Sequence, residues 1–327
     1  GVTASRRFLR PVPPLRFDQG VDGCGTMIKA SIVILTWNSL DVIRACLSSL
    51  PRGLSRFAGE VIVVDNGSRD LTPAVFRREF PWMRLLINRK NQGVAHARNQ
   101  GIVVSQGEYI ILLDDDTIVQ PGALDTLIQY LETHPQVGLC GPKLVDHRGR
   151  LHFSCRLFPT LADKLARRLP FDCARALTRA AEMTDWDHQT PRAVDYVIGA
   201  CQAIRRTALA DVGLLDERIF YGPEDVDLCL RLQQAGWLVV YLPESVVIHA
   251  ERRVTRSLFS RLSWKHGGGV VYYFWKHGYL FSRRRLYARI HGPRVARHAR
   301  HPAPDGSAPR DGDDDGGCVG LVGKERE

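Results

Sequence analysis

Two textures alternate along the first part of the chain. Ser31-Ile-Val-Ile-Leu-Thr-Trp37 and Val61-Ile-Val-Val-Asp65 are almost unbroken β-branched runs, whereas the stretches between them space their apolar residues at helical intervals. The pattern predicts strands over 31–37, 61–65, 84–87 and 108–113 and helices over 40–50, 71–80 and 93–105, with Pro51 stopping the first helix. Near-continuous Val/Ile/Leu strands separated by helices must be covered on both faces, which is the condition of a parallel sheet. The fold class expected is α/β, a Rossmann-like, mostly parallel sheet flanked by helices.

Beyond residue 120 the regularity weakens. A helix over 121–134 with Pro121 near its start is clear, and 137–145 and 194–204 read as strands. Residues 225–235 carry apolar side chains at 226, 228, 230 and 232 and stop at Gly236, a helix ending. Short strands over 238–241 and 246–249 close the core, which places an α/β domain at 29–250. Residues 155–192 are basic and poorly patterned and read as an insertion. Residues 1–28 read as a flexible extension and 302–327, rich in Pro, Gly and Asp, as a disordered tail.

Composition narrows the classes. With 44% hydrophobic and 24% charged residues in 327, the chain is neither wholly disordered, collagenous nor a multi-span membrane protein. No run approaches the ~18 apolar residues of a spanning helix. Residues 1–26 show no apolar core of a secretory signal. Eight cysteines without a C-x-x-C argue against a zinc site or a disulfide framework and fit a reducing cytosol.

The net charge of +10 is concentrated in one place. Residues 251–301 hold thirteen Lys/Arg and one acid, a net +12 that leaves −2 for the rest. A nucleic-acid-binding enzyme would spread basic residues around its site, so no nucleic-acid partner is expected. In the same segment Leu258, Phe259, Leu262 and 270–275 interleave with Arg256, Arg261, Lys265, Lys276 and Arg283 to Arg285. That mixture suits a basic amphipathic segment on an anionic membrane surface. It equally suits a solvated helix with its apolar face on the core.

The candidate chemistry lies at strand ends. Asp114-Asp115-Asp116 follows the run 109–113, where the carboxyl end of a parallel strand meets ligand. Three adjacent carboxylates repel unless a cation neutralises them, and Mg²⁺ or Mn²⁺ does so while keeping positions for diphosphate oxygens. An acidic loop in which one Asp caps the next helix is the alternative. Asp65 can accept hydrogen bonds from a base or ribose, or can simply begin a turn through Asn66-Gly67. Gly93 opens a helix that carries Arg98 one turn inside, a pairing suited to an anion or to nothing more than a helix start. Glu224 and Asp225 begin another helix, as caps or with one of them as a general base. His249 ends an apolar strand, as a core histidine or a metal ligand.

The order of these motifs resembles the family 2 inverting glycosyltransferases. Thr-Trp-Asn after a strand, Val-Asp-Asn-Gly-Ser, Asn-x-Gly-x-x-x-Ala-Arg-Asn, Leu-Leu-Asp-Asp-Asp, Glu-Asp-Val-Asp-Leu-x-x-Arg and a later Val-Val-x-His stand in the family's sequence over about 30–280. The likeness is strongest to bacterial rhamnosyltransferase-type members, which often use dTDP-rhamnose.

The resemblance implies a GT-A fold and transfer of one sugar from a nucleotide-diphosphate sugar to a glycan or lipid-linked acceptor in cell-surface polysaccharide synthesis. It implies that Thr36, Asn38 and Asp65 line the nucleoside pocket with Gly93, Arg98 and Asp115 nearby. Asp114 then touches ribose or metal, Asp116 and His249 hold Mg²⁺ or Mn²⁺, and Asp225 is the catalytic base beside Glu224. The insertion 155–192 faces the acceptor, and the enzyme works in the cytoplasm, peripheral to the inner face of the cell membrane. The Gln-x-x-Arg-Trp of processive synthases is absent: Gln233-Gln-Ala-Gly-Trp237 does not supply it. Rival readings are a sugar nucleotidyltransferase, whose Gly-rich loop after the first strand is missing, and a non-catalytic binding protein on the same fold.

Overall fold

The computed structural model describes residues 27–292 apart from 71, 168 and 251–260, together with the backbone but not the side chains of 261–263. The expected tail at 302–327, nearly all of the expected extension, and Arg256, Leu258 and Phe259 lie outside the described residues.

The amino-terminal half alternates as β1 (Ala30–Thr36), α1 (Leu40–Gly53), β2 (Gly59–Asp65), α2 (Thr72–Glu79), β3 (Arg84–Ile87), α3 (Val94–Val104) and β4 (Tyr109–Asp114). Next come β5 (Thr117–Val119), α4 (Ala123–Thr133), β6 (Val137–Val145), β7 (Leu151–His152), β8 (Cys155–Arg156), α5 (Leu161–Ala166) and α6 (Asp172–Ala181). The chain returns through β9 (Arg192–Ala193), β10 (Tyr196–Val197), β11 (Cys201–Arg205), α7 (Arg206–Val212), α8 (Glu224–Gln234) and β12 (Leu238–His249). The described part closes with α9 (Arg261–His277) and α10 (Arg284–Ile290).

The main sheet has the order β3-β2-β1-β4-β11-β6-β12-β5. β1 pairs in parallel with β2 and β4, and β2 with β3, while β11 runs antiparallel to both of its neighbours. Successive side chains of a strand face opposite ways, so both faces are buried. Ile32 and Ile34 enter one core with Leu47 and Leu124, and Val33 enters the other with Ala95 and Leu230. The α/β reading of the pattern holds.

The differences in detail have physical causes. α1 runs through Pro51 to Gly53, because proline in a final turn forfeits a single backbone bond and the Leu54 N–H still reaches the Leu50 carbonyl at 2.9 Å. The strand expected over 194–204 is broken between Val197 and Cys201, and the break serves the site described below. The two last strands are one, β12, whose register against β6 shifts between Leu242 and Val246 around Pro243, which has no N–H to give a ladder.

The apolar run 270–275 is divided. Tyr273 and Phe274 are buried with Tyr279 and Leu286, while Val271 and Trp275 remain exposed. Lys276 Nζ and His277 Nε2 both reach Asp227 Oδ1 of α8, at 2.6 and 2.8 Å. This end of the basic segment is therefore a core element. No helix among the described residues is long and apolar enough to cross a membrane.

Candidate active site

The triple aspartate turns sharply at the end of β4, and the chain re-enters the sheet as β5 at its edge. β5 pairs antiparallel with the end of β12, with His249 opposite Thr117, and the Ala250 N–H donates to the Asp116 carbonyl at 3.0 Å. This register delivers His249 to the acids. Asp114, Asp116 and His249 each offer one ligand atom, and these atoms lie within 4.8 Å of one another. His249 Nε2 is 3.3 Å from Asp116 Oδ1, and its Nδ1 is 3.3 Å from Nδ1 of His152, whose ring stacks on it. Two carboxylates and an imidazole converging this closely fit a divalent cation. Asp115 turns away, beside Ser39 and Thr36, where burial pushes its carboxyl up to about 6 against the pull of those hydroxyls.

A second group is built around Arg98. Its guanidinium is buried, and Nη2 donates to Asp114 Oδ1 at 2.6 Å and to the Gly199 carbonyl at 2.7 Å, while Nη1 lies 3.8 Å from Glu224 Oε1. A Cβ on Gly199 would come within 2.7 Å of Nη1, so any larger residue there would push the guanidinium aside. The Gly199 N–H in turn donates to Asp225 Oδ2 at 2.9 Å, and the Val226 N–H to Asp225 Oδ1 at 2.8 Å. Asp225 is thereby fixed by two backbone donors, whereas Glu224 is buried against Arg98, and its Oε2 has no hydrogen-bond partner among the described residues. Burial, and then the charge of Asp225, raises the Glu224 carboxyl well above its ordinary range, with Arg98 opposing. Arg98, Asp114, Glu224, Asp225 and His249 line one cleft of about 360 Å³.

The nucleoside-side candidates stand at the ends of β1 and β2. Asp65 Oδ1 accepts from the Gly67 and Ser68 N–H groups at 2.9 and 2.7 Å, and its buried Oδ2 has no partner among the described residues. Asn38, at φ 51°, accepts from the Arg69 N–H through Oδ1 at 2.8 Å. Thr36, buried, pairs in register with Asp65. Gly93 stands apart: at φ 96° it lies against Phe220, whose carbonyl a Cβ would meet at 2.7 Å. The close approach that this glycine permits is made by the chain itself.

Several lining residues carry no sequence signal. Arg156, Lys164 and Arg167 come from the stretch 155–192, Tyr196 from β10, Tyr221 from the loop before α8 and His266 from α9. His152 reaches His249 only because β7 folds back on β6.

The family model for glycosyl transferase family 2 matches residues 31–213. The chain belongs to this family. It is 31% identical over 255 residues to the N-acetylglucosaminyl-diphospho-decaprenol L-rhamnosyltransferase of Mycobacterium tuberculosis, covering 74% of this chain and 82% of that protein. It is 29% identical over 155 residues to the rhamnosyltransferase WbbL of Escherichia coli, covering 47% and 56%. Among solved structures it is similar to the mannosyltransferase PcManGT from Pyrobaculum calidifontis in complex with GDP-Man and Mn²⁺. That likeness, with TM-score 0.53 and 20% identity over 82% of this chain and 71% of the other, establishes the GT-A fold. The protein is a family 2 glycosyltransferase, an enzyme.

Proposed function

We propose that this glycosyltransferase moves one sugar, with inversion, from a nucleotide-diphosphate donor to a hydroxyl of a lipid-linked acceptor in cell-surface polysaccharide synthesis. The observation that carries the proposal is the cleft that Asp114 and His249 share with the fixed carboxylate of Asp225, with the Asp116 ligand atom converging on those of Asp114 and His249. The rhamnosyltransferase relatives favour dTDP-rhamnose as the donor, and the decaprenol-linked substrate named for the mycobacterial relative favours the acceptor class.

Each residue has one task. Thr36, Asn38 and Asp65 receive the nucleoside, with the unpartnered Oδ2 of Asp65 ready to accept a hydrogen bond, and Asp115 supports the wall beside Thr36. Gly93 shapes that wall through Phe220. Arg98 orients Asp114. Asp114, Asp116 and His249 hold Mg²⁺ or Mn²⁺. When bound, the cation offsets negative charge on the departing nucleoside diphosphate. Asp225 takes the proton from the acceptor hydroxyl as its oxygen attacks the anomeric carbon. One displacement with no covalent enzyme intermediate inverts the configuration. Glu224 holds Arg98 in place.

The enzyme rests on the inner face of the cell membrane. The support is an exposed row on α9, Trp264, Val271 and Trp275, which leaves large apolar side chains facing outward beside Lys265.

A donor panel tests the reading. UDP-, dTDP- and GDP-sugars are each added with Mn²⁺ while thermal stability and slow donor hydrolysis are followed, and one of them should raise the melting temperature and be hydrolysed. Hydrolysis that persists undiminished in excess chelator removes the cation from the mechanism.

A further inference from the structure

Arg156, Lys164 and Arg167, all from the stretch 155–192, line the cleft that holds Asp225. Their charges are poorly answered. Glu182 lies 3.1 Å from Arg167 and 3.7 Å from Arg156, one carboxylate for two guanidinium groups. Nε of Arg156 is buried without a hydrogen-bond partner among the described residues. Among the described residues no carboxylate stands within ion-pair distance of Lys164. Burial, with Arg167 adding to it, brings the Lys164 ammonium down to about 8. Arg156 and Lys164 are half-buried without matching acids, with Arg167 at the exposed edge; such charges are costly, and an anionic ligand relieves the cost.

The donor's diphosphate does not fill this role. In the proposed function it lies at Asp114, Asp116 and His249, whereas Arg156 pairs in register with Tyr196 of β10, three residues before Gly199, whose N–H holds Asp225. The anion these cations await therefore belongs to the molecule that gives its proton to Asp225. Arg167 also borders a second hollow of about 680 Å³, to which Arg175, Arg179 and Leu169 contribute. Leu165 and Leu169, beside the cations in sequence, are 52% and 47% exposed, and Leu169 lines the second hollow with Arg167, so that hollow offers apolar as well as basic surface.

We infer that Arg156, Lys164 and Arg167 form an acceptor-phosphate subsite, which binds the phosphate of an amphiphilic acceptor whose apolar chain leaves over Leu165 and Leu169. The inference rests on the proposed function and adds the chemistry of the acceptor. Arginine grips phosphate oxygens with a planar fork and lysine adds a point charge, so the trio supplies recognition as well as attraction.

Calorimetric titration of the full chain with farnesyl diphosphate, in EDTA and with excess dTDP, tests this subsite apart from the cation. Farnesyl diphosphate should bind and should not be displaced by the nucleotide. Binding should weaken roughly 10- to 100-fold in Lys164→Gln and in Arg167→Gln, the worth of one charge-assisted hydrogen bond. Arg167 is exposed, so its variant does not depend on refolding the site. Equal binding by wild type and both variants, no binding by wild type, or displacement by dTDP overturns the subsite. Equally tight binding of inorganic pyrophosphate overturns the amphiphilic part, and farnesol should not bind. Failure of every nucleotide sugar with Mn²⁺, with farnesyl diphosphate still bound, counts against the donor reading; the reverse counts against the acceptor subsite alone.

Discussion

Arg98 of α3 donates to Asp114 at the end of β4 across 2.6 Å, from a side chain that is almost wholly buried. The same guanidinium holds the Gly199 carbonyl and stands beside Glu224, so one cation ties together a helix, a strand end, the break after β10 and the start of α8. Arg98→Met would strand two carboxylates. It should cost about 3 kcal/mol in urea unfolding, the scale for removing one partner of a buried pair. Arg98→Lys keeps the charge but loses the fork and should fall between. An unchanged midpoint for Arg98→Met would mean that the pair contributes nothing to the fold.

The acids beside Arg98 separate by environment. Asp225→Asn preserves size and the cleft-side geometry but cannot accept a proton, and turnover should fall about 10²- to 10⁴-fold, the range for general-base removal, with donor binding retained. Glu224→Gln loses a charge next to Arg98 and should act chiefly by loosening Asp114. Steady-state kinetics and donor titration on both variants distinguish the roles, and a collapse confined to Glu224→Gln would exchange them.

Removing a member of the cation cluster should have a graded effect. Asp116→Ala should abolish the Mn²⁺-dependent part of donor binding, because the diphosphate loses its counter-charge. His249→Ala should weaken it less, since two carboxylates remain. Thermal shift with donor, with and without Mn²⁺, reads both, and equal Mn²⁺ response in wild type and Asp116→Ala would dismiss the cluster as a metal site.

Asp227 gives a pH signature away from the cleft. Burial opposes its ionisation, but His277, Arg231 and Lys276 outweigh burial and hold the carboxyl at about 2 instead of 3.8. A depressed folded-state value stabilises above the unfolded one, so the contribution is full above about pH 5 and is lost as pH falls from about 4 to 2. Its size is about 2 kcal/mol. In acid-unfolding titrations Asp227→Asn should start less stable at neutral pH and lose less over that window. Parallel curves would show that α9 is not held to α8 by this carboxylate.

The sequence by itself determined the fold class and most of the elements around the sheet. Buried parallel strands must be apolar on both faces, and that demand is written locally, as in Ile32 to Ile34 and Ile110 to Leu113. It also marked the strand ends at Asp65 and Asp114 and the helix start at Glu224, because a polar residue closing an apolar run needs no distant partner to be noticed.

Only the tertiary structure decided what those residues meet. His249 stands 133 positions after Asp116, and the antiparallel pairing of β5 with β12 is what joins them. Arg98 reads in sequence as an anion contact or a plain surface charge, and only packing against Gly199 and Glu224 makes it a buried tie. Lys164 and Arg156 lie in a stretch with no usable period, so nothing local separates them from solvated charges. Periodicity records which face of an element is dry. Which charges share a cleft depends on the long-range closure of the chain, and that is a property of the folded protein.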